Sequence, residues 1–267
     1  MSEQIEITDP ADPRLDDFRD LSVADRRPDR PGGRGLVIAE GVVVVERLVA
    51  SPYPMRAMLG VPRRFAELQA TLAAESAPYY AVTAELMAEV VGFHLNRGVL
   101  AVADRVEFPA AAELLASARR VAVLEGVGDH ENLGSIFRNA AALGIDAVLL
   151  AEGCSDPLYR RSIRVSMGNV FKVPFGRLDP LVPQGMDLLR GHGFTVAALT
   201  PAAGSVALHE AELRGRRVAV LLGSEGPGLT DHALLASDVR VRIPMANGVD
   251  SLNVATAGAI AFAAVAD

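Results

Sequence analysis

The sequence contains a single cysteine, Cys154, so one chain cannot form an internal disulfide. This fits a reducing compartment, and we expect a cytoplasmic protein in which Cys154 packs inertly; a nucleophilic role is the alternative. The longest apolar stretches, such as residues 255–266, are too short to cross a bilayer. The first 19 residues are acidic and polar and show no secretory signal. These absences favour a globular protein without a membrane anchor.

Lysine is almost absent as well, because Lys172 is the only one and arginine supplies the remaining positive charge. The net charge of −7 and a pI of about 5.3 count against nucleic-acid binding as a first interpretation. Phosphate contacts depend on local clusters of cations, however, and not on the total charge. The five histidines are scattered without ligand spacing, so no metal site is predicted.

Short apolar segments alternate with helical patterns along most of the chain. Strands are predicted at residues 36–39, 55–59, 79–82, 98–102, 121–124, 147–150, 195–199 and 218–222. Helices are predicted at residues 42–50, 62–75, 84–91, 133–143, 182–190 and 252–265. Residues 1–34 are interpreted as an irregular or helical leader, and residues 106–118 as a linker. The alternation after residue 119 predicts a mostly parallel sheet covered on both faces.

The first segment of chemical interest is NLGSIFRNA, residues 132–140. Its apolar residues recur at helical spacing, Arg138 falls off that apolar face, and Asn132 stands where an N-cap is expected. A helix start beside a strand end is an anion site, because free backbone N–H groups point outward there. An ordinary capped helix with a solvated arginine explains the same pattern.

The second segment is LLGSEGPGL, residues 221–229, in which an apolar strand enters a glycine-rich turn. Glycine permits positive φ angles and close approach of the backbone to a ligand. Ligands of open α/β sheets bind at the carboxyl ends of strands, which is where this turn is expected. A tight connection between a strand and a helix is the alternative.

The third segment is IPMANGVDSLNVA, residues 243–255, and it leads into the final helix. Asp250 or Ser251 is predicted to cap that helix. The helix is apolar or small nearly all round, so we expect it to be buried on every side. Asn253 then needs a hydrogen-bond partner, either backbone or ligand.

In this order and spacing the three segments resemble the signature motifs of the SpoU (TrmH-like) family of RNA 2′-O-ribose methyltransferases, in the SPOUT superfamily. The resemblance covers about residues 119–267. Upstream, the sequences AEG at residues 39–41 and RGVLA at residues 97–101 are similar to that family's small substrate-binding domain. Many relatives have glutamine in place of Arg97 and proline in place of His130.

The resemblance implies an α/β fold in which a trefoil-knotted SPOUT methyltransferase domain, residues 119–267, follows a small α/β RNA-binding domain, residues 1–107. It implies transfer of a methyl group from S-adenosylmethionine to a ribose 2′-hydroxyl, in ribosomal RNA rather than tRNA because of the appended domain. A non-catalytic RNA-binding protein of the same fold is the alternative. The family also implies a homodimer whose active sites draw on both subunits, which the small residues of the final helix favour.

The resemblance assigns a role to individual residues. It implies that Arg138 binds the adjacent phosphate and polarises the hydroxyl. Four residues would orient that arginine and the ribose: Asn132, Glu225, Ser251 and Asn253. The cofactor would contact Leu199, Thr200, Leu222, Gly223, Gly226, Ile243, Met245 and Leu252. A local basic cluster consists of Arg160, Arg161 and Arg164 and is expected to contact the RNA backbone. A solvated helix face is the alternative interpretation of this cluster.

Two other α/β enzyme classes fail on motif spacing. A dinucleotide-binding fingerprint beginning at Gly126 lacks its third glycine, because position 131 is a glutamate. The GSEG sequence at residues 223–226 does not have the spacing of a hydrolase nucleophile elbow.

Overall fold

The protein is described by a computed structural model covering residues 2–19, 21 and 35–266. The chain divides into two compact units. Unit 1 consists of Met1–Glu107 and Asp156–Lys172, and unit 2 of Phe108–Ser155 and Val173–Asp267. Of the predicted leader, the described part forms a short strand and a 3₁₀ helix, Pro13–Phe18, whereas residues 22–34 lie outside the described residues.

Unit 1 is built on a mixed five-stranded sheet in the order β1-β4-β3-β5-β2. The strands are β1 (Gln4–Glu6), β2 (Leu36–Glu40), β3 (Met55–Gly60), β4 (Tyr79–Ala81) and β5 (Val99–Asp104). Strand β5, which lies between β3 and the edge strand β2, is antiparallel to both of its neighbours. The helices are α1 (Val42–Val49), α2 (Pro62–Leu68), α3 (Ala84–Val91) and α6 (Arg160–Val165). The helix predicted over residues 62–75 ends at Leu68, and a separate 3₁₀ turn, Thr71–Ala74, follows it.

Residues 156–172 lie in unit 1, whereas the sequence assigned them to the second domain. The segment packs closely on the first turn of α1, since a Cβ atom on Gly168 would lie 3.1 Å from a methyl group of Val44. Nearby, the rings of Tyr53 and Phe171 have centroids 5.7 Å apart. These contacts join residues more than 100 positions apart, and local periodicity carries no information about such pairs.

Unit 2 contains a seven-stranded sheet, parallel throughout, in the order β10-β12-β9-β11-β6-β7-β8. The strands are β6 (Arg120–Leu124), β7 (Ala147–Leu150), β8 (Phe175–Arg177), β9 (Thr195–Leu199), β10 (Val206–Ala207), β11 (Val218–Leu222) and β12 (Val239–Arg242). The helices are α4 (Ala111–Ser117), α5 (His130–Ala142), α7 (Met186–Gly191), α8 (Asp231–Ala236) and α9 (Val254–Val265). The predicted mostly parallel sheet is confirmed, whereas the trefoil knot stays a prediction.

The central strands of unit 2 are buried because their side chains are apolar on both faces, as is typical of parallel strands covered by helices. All carboxyl ends of a parallel sheet lie at one edge. The three motif segments follow or adjoin that edge, since one lies in α5, which comes after β6, one follows β11 and one follows β12.

The predicted helix caps were wrong by a few residues. Helix α5 is capped by Asp129, whose Oδ1 accepts hydrogen bonds from the amides of Glu131 and Asn132 at 2.8 and 2.9 Å. Asn132 therefore lies inside the first turn with its side chain free for other contacts. Helix α9 is capped by Asn253, not by Asp250 or Ser251, which precede the helix.

Helix α9 is not buried on every side in the single chain. One face packs in unit 2, where Gly258 permits a close approach because a Cβ atom there would lie 3.0 Å from Leu222. The opposite face, with Thr256, Ile260 and Ala263, is exposed, and Ile260 is 39% exposed. The apolar composition of α9 predicts a buried helix, but it does not identify what covers each of its faces.

Residues 108–118 are not a free linker. Helix α4 occupies most of them, and its Leu115 is fully buried in the core of unit 2. The segment also lies against β8, where a Cβ atom on Gly176 would come within 2.6 Å of the carbonyl oxygen of Pro109. Within the described ranges, no helix is long and apolar enough to cross a membrane.

Substitution of Leu115 tests whether α4 belongs to the core. Leu115→Ala should lower the free energy of unfolding of unit 2 by about 2–5 kcal/mol, because it removes a fully buried side chain and leaves a cavity. Ala112→Ser, on an exposed position of the same helix, is the control and should change it by less than about 0.5 kcal/mol. Denaturant unfolding measures both, and equal stability of the two variants would mean that α4 is a loose linker.

Candidate active site

A cavity of about 550 Å³ lies at the carboxyl edge of the sheet in unit 2. Its walls come from the segments that follow β9, β11 and β12 and from the start of α9. All eight residues expected to bind a cofactor line this cavity: Leu199, Thr200, Leu222, Gly223, Gly226, Ile243, Met245 and Leu252. Three of the residues expected to orient the substrate line it as well: Glu225, Ser251 and Asn253.

The glycine-rich turn after β11 forms one wall. Ser224 and Gly228 exchange two backbone hydrogen bonds of 3.2 and 3.1 Å, which close a short loop with Glu225 and Gly226 at its tip. Gly226 has a φ of +91°, and open space lies where a Cβ atom would project. A Cβ atom on Gly223 would lie only 2.2 Å from the Gly228 carbonyl carbon. The turn therefore requires glycine at position 223 for its own backbone packing, before any ligand is considered.

The far end of the same turn is fixed to the end of β6. The carboxylate of Glu125 accepts hydrogen bonds from the amide and the hydroxyl of Thr230, at 2.8 and 2.9 Å. Thr230 in turn caps α8 through its side chain, which accepts from the amide of Ala233. Glu125 was not among the residues predicted from the sequence, although a carboxylate directly after an apolar strand is the signal that points to it.

Three amide and carboxylate side chains connect the three motif segments. The Nδ2 group of Asn253 donates to Oδ1 of Asn132 at 2.7 Å, and Nδ2 of Asn132 donates to Oε2 of Glu225 at 2.9 Å. Oδ1 of Asn253 accepts from the first amides of α9, those of Ala255 and Thr256. Asn253 thus has both a backbone partner and a side-chain partner. Each amide orientation is fixed by this chain of bonds, which ends at an exposed carboxylate.

Asn132 is the buried centre of this network, with 8% of its surface exposed. Glu225 is exposed, and in the described part of the chain its Oε1 atom has no partner. Ser251 is exposed too, and its hydroxyl donates only to the neighbouring carboxylate of Asp250, at 3.5 Å. The network therefore presents one free carboxylate oxygen and one hydroxyl beside the cavity.

Arg138 stands apart from the other predicted catalytic residues. It is exposed on α5, does not line the cavity, and its guanidinium has no ion pair or hydrogen bond to another described residue. Its neighbour Asn139, which the sequence analysis missed, donates from Nδ2 to the carbonyl oxygen of Ala255 at 2.9 Å. This bond joins α5 to α9. In the sequence, Asn139 is recognisable only as a polar residue beside the apolar face of α5.

The three arginines expected to bind RNA belong to unit 1, whereas the segments that form the cavity belong to unit 2. Arg160 is the most enclosed: its guanidinium lies 4.7 Å from the centre of the Phe93 ring and 4.0 Å from Glu40. Burial lowers the pKa of Arg160, whereas Glu40 raises it. Arg161 and Arg164 are exposed. The guanidinium of Arg160 therefore contacts other residues of unit 1.

Cys154 and the histidines add no chemistry to the cavity. Burial raises the pKa of the Cys154 thiol, which favours the unreactive protonated form. Among the described residues, no group of three or more His, Cys, Asp and Glu side chains is arranged to hold a metal ion. The expectation that the protein needs no metal stays a prediction.

The part of the chain that contains the three motif segments is similar to a family of known proteins. The sequence pattern of the SpoU rRNA Methylase family matches residues 119–263. The chain belongs to the SpoU family. An uncharacterized tRNA/rRNA methyltransferase of Mycobacterium tuberculosis is 58% identical over 259 residues, which are 96% of this chain and 90% of that protein.

More distant members of the SpoU family are similar over part of the chain or in fold. A 23S rRNA (guanosine(2553)-2′-O)-methyltransferase of Bacillus subtilis is 33% identical over 148 residues, 55% of this chain and 58% of that protein. The crystal structure of an AdoMet-bound rRNA methyltransferase from Sinorhizobium meliloti has a TM-score of 0.81 and 24% identity, covering 98% and 97% of the two chains. The α/β fold of the SpoU family is thereby confirmed for this chain.

Gly223→Ala should disrupt the turn after β11. Because the added methyl group would overlap the backbone of Gly228 and Leu229, the turn must shift, and the dissociation constant for S-adenosylmethionine should rise about tenfold to a hundredfold. Gly191→Ala is the matched control, since no atom lies within 4 Å of the added group and its backbone is unstrained. Calorimetry compares the two, and wild-type affinity in Gly223→Ala would contradict the described turn.

Proposed function

We propose that this protein transfers a methyl group from S-adenosylmethionine to a ribose 2′-hydroxyl of RNA, with ribosomal RNA as the substrate. The observation that carries the proposal is the hydrogen-bonded connection of Asn253, Asn132 and Glu225 beside a cavity lined by all three motif segments. The Bacillus subtilis relative is a 23S rRNA 2′-O-methyltransferase, which supports the same reaction here. A tRNA substrate is the second candidate, because the Mycobacterium relative is named for both RNA classes.

The cavity fits the cofactor in size and in chemistry. Its volume of about 550 Å³ lies in the range of small-molecule sites. Apolar side chains such as Leu222, Ile243 and Leu252 suit an adenine ring, and the backbone amides and carbonyls of the glycine-rich turn suit its polar edges. When bound, S-adenosylmethionine supplies an electrophilic methyl group on a positively charged sulfur.

Glu225 is the group best placed to accept the proton of the ribose hydroxyl. The hydroxyl oxygen forms a bond to the methyl carbon as the bond from that carbon to sulfur breaks, and the hydroxyl proton must leave. An arginine is protonated in proteins and cannot readily accept it. Glu225 has a free Oε1, while Asn132 holds Oε2, and Ser251 is placed to hydrogen-bond the ribose. The proton therefore passes to Oε1 of Glu225.

Arg138 acts on the RNA phosphate, and a second copy of the chain supplies it. Its exposed position outside the cavity wall of its own chain supports this arrangement, as does the exposed apolar face of α9 around Ile260. Two copies paired through this face form a homodimer in which the small residues of α9 permit close helix packing. An arginine fork matches a phosphate group better than a lysine does.

Unit 1 binds the RNA outside the target nucleotide. Exposed Arg161 and Arg164 supply local positive charge in a protein with a net charge of −7. Arg160 contributes by holding helix α6 in place through Phe93 and Glu40. A cytoplasmic location fits an RNA substrate and a chain whose single cysteine forms no internal disulfide.

Glu225→Gln tests the proton acceptor. Glutamine preserves an oxygen for the bond from Asn132 but cannot take a proton, so kcat should fall about a hundredfold to ten-thousandfold with cofactor affinity unchanged. Methylation should recover partly at alkaline pH, where hydroxide replaces the missing base. Glu113→Gln, on an exposed position of α4, is the control. If Glu225→Gln keeps more than about a tenth of wild-type turnover, Glu225 only orients the substrate.

Mixing two inactive variants tests the composite site. Arg138→Ala should lose about a hundredfold to a thousandfold in rate while still binding the cofactor, because the arginine lies outside the cavity. Co-expressed Arg138→Ala and Glu225→Gln chains form mixed dimers in which one of the two sites is complete. About a quarter of wild-type activity should therefore return, because about half of the dimers are mixed. No recovery would mean that both residues act within one chain or that the protein is monomeric, which sedimentation distinguishes.

A further inference from the structure

A second cavity of about 470 Å³ lies on the other side of the glycine-rich turn, also within unit 2. It opens at the carboxyl ends of β6, β7 and β11. Ser224, Pro227, Gly228 and Leu229 line both this cavity and the cofactor cavity, so a single turn separates the two. In a parallel sheet this edge is the usual location of ligand sites.

The polar groups of the second cavity are mainly acceptors. Glu125 uses both carboxylate oxygens to bind Thr230. Glu152 is exposed, and its Oε1 accepts from the amide of Leu181 at 3.0 Å. Its Oε2 has no partner among the described residues. The cavity thus offers one fixed carboxylate with an unused acceptor oxygen.

These carboxylates exclude an anionic ligand and favour one with N–H donors. Two negative charges repel phosphate, so the phosphate groups of a bound nucleotide must lie outside this cavity. The exposed Pro227 and His232 supply flat surfaces against which a ring can stack. Arg177, at the end of β8, lies near enough to oppose the rise that burial causes in the pKa of the Cys154 thiol. Arg177 therefore lies beside the loop that contains Glu152, where it can bind a nucleotide phosphate outside the cavity.

We propose that the second cavity binds the unpaired base of the nucleotide to be methylated, and that its chemistry favours guanine. The inference rests on the proposed function. Base and 2′-oxygen stand on adjacent carbons of one ribose, so a hydroxyl beside Glu225 brings its base close to the turn that divides the cavities. Guanine presents adjacent N1–H and N2–H donors, and the unused Oε2 of Glu152 can accept a hydrogen bond from the 2-amino group. Glu152 is the residue that determines specificity.

Binding of nucleotides to the full chain saturated with S-adenosylhomocysteine tests the proposal without requiring methylation. GMP and IMP differ only in the 2-amino group, and ligand-detected NMR with competition gives their relative affinities. The wild-type protein should bind GMP about tenfold more tightly than IMP, because one hydrogen bond to a charged group contributes a difference of this size. Glu152→Gln keeps the oxygen that binds Leu181 but replaces the free acceptor with a donor, so the preference should vanish. Glu113→Gln, exposed on α4 and outside both cavities, should retain it.

The same variants are then assayed with ribosomal RNA from a strain that lacks the gene. Glu152→Gln should raise KM for the RNA about tenfold and leave cofactor affinity unchanged. GMP binding without any methylation by wild type would refute the proposed function and leave the base site standing. Methylation by wild type with no GMP preference, or with Glu152→Gln unchanged in both assays, would overturn the base site and leave the proposed function standing.

Discussion

The hydrogen bonds from Asn253 to Asn132 and from Asn132 to Glu225 are the interaction on which the site depends. They join the start of α9, the first turn of α5 and the turn after β11, three segments spread over more than 120 residues of sequence. Because Asn132 is buried, loss of either partner would leave a polar group unsatisfied, at a cost of about 1–3 kcal/mol. The same bonds that hold the segments together therefore fix the orientation of the Glu225 carboxylate.

The parallel sheet makes this convergence possible. Strands β6, β9, β11 and β12 all end at one edge, so the segments that follow them meet there whatever their distance in sequence. Close backbone approach at Gly223 and Gly258 then brings the turn and α9 against the strands. The rigid sheet positions the residues, and the chemistry proposed above uses exposed side chains on the connecting segments.

Eight strands could be predicted from the sequence because buried strands are plain apolar runs, whereas the shorter or more polar strands β1, β8, β10 and β12 were missed. The residues that line the cavity were expected from the family resemblance. The caps of α5 and α9 were predicted at the wrong residues, because each helix start offers more than one good capping residue within a few positions. Asp129 and Asn132 compete at α5, and Ser251 and Asn253 compete at α9. The sequence also did not predict that residues 156–172 join unit 1 or that Phe93 covers Arg160. These contacts link residues distant in sequence and leave no periodic pattern.

The proposal that the methyl group is transferred to a ribose 2′-oxygen is best tested with RNA from cells with and without the gene. The RNA is digested to nucleosides, and 2′-O-methylated and base-methylated nucleosides are quantified by mass spectrometry, followed by mapping of any change along the ribosomal RNA. The account predicts that deletion removes a 2′-O-methyl group from one ribosomal RNA nucleotide and that the wild-type gene restores it. Unchanged 2′-O-methylation, or loss of a methyl group from a base instead, would contradict it.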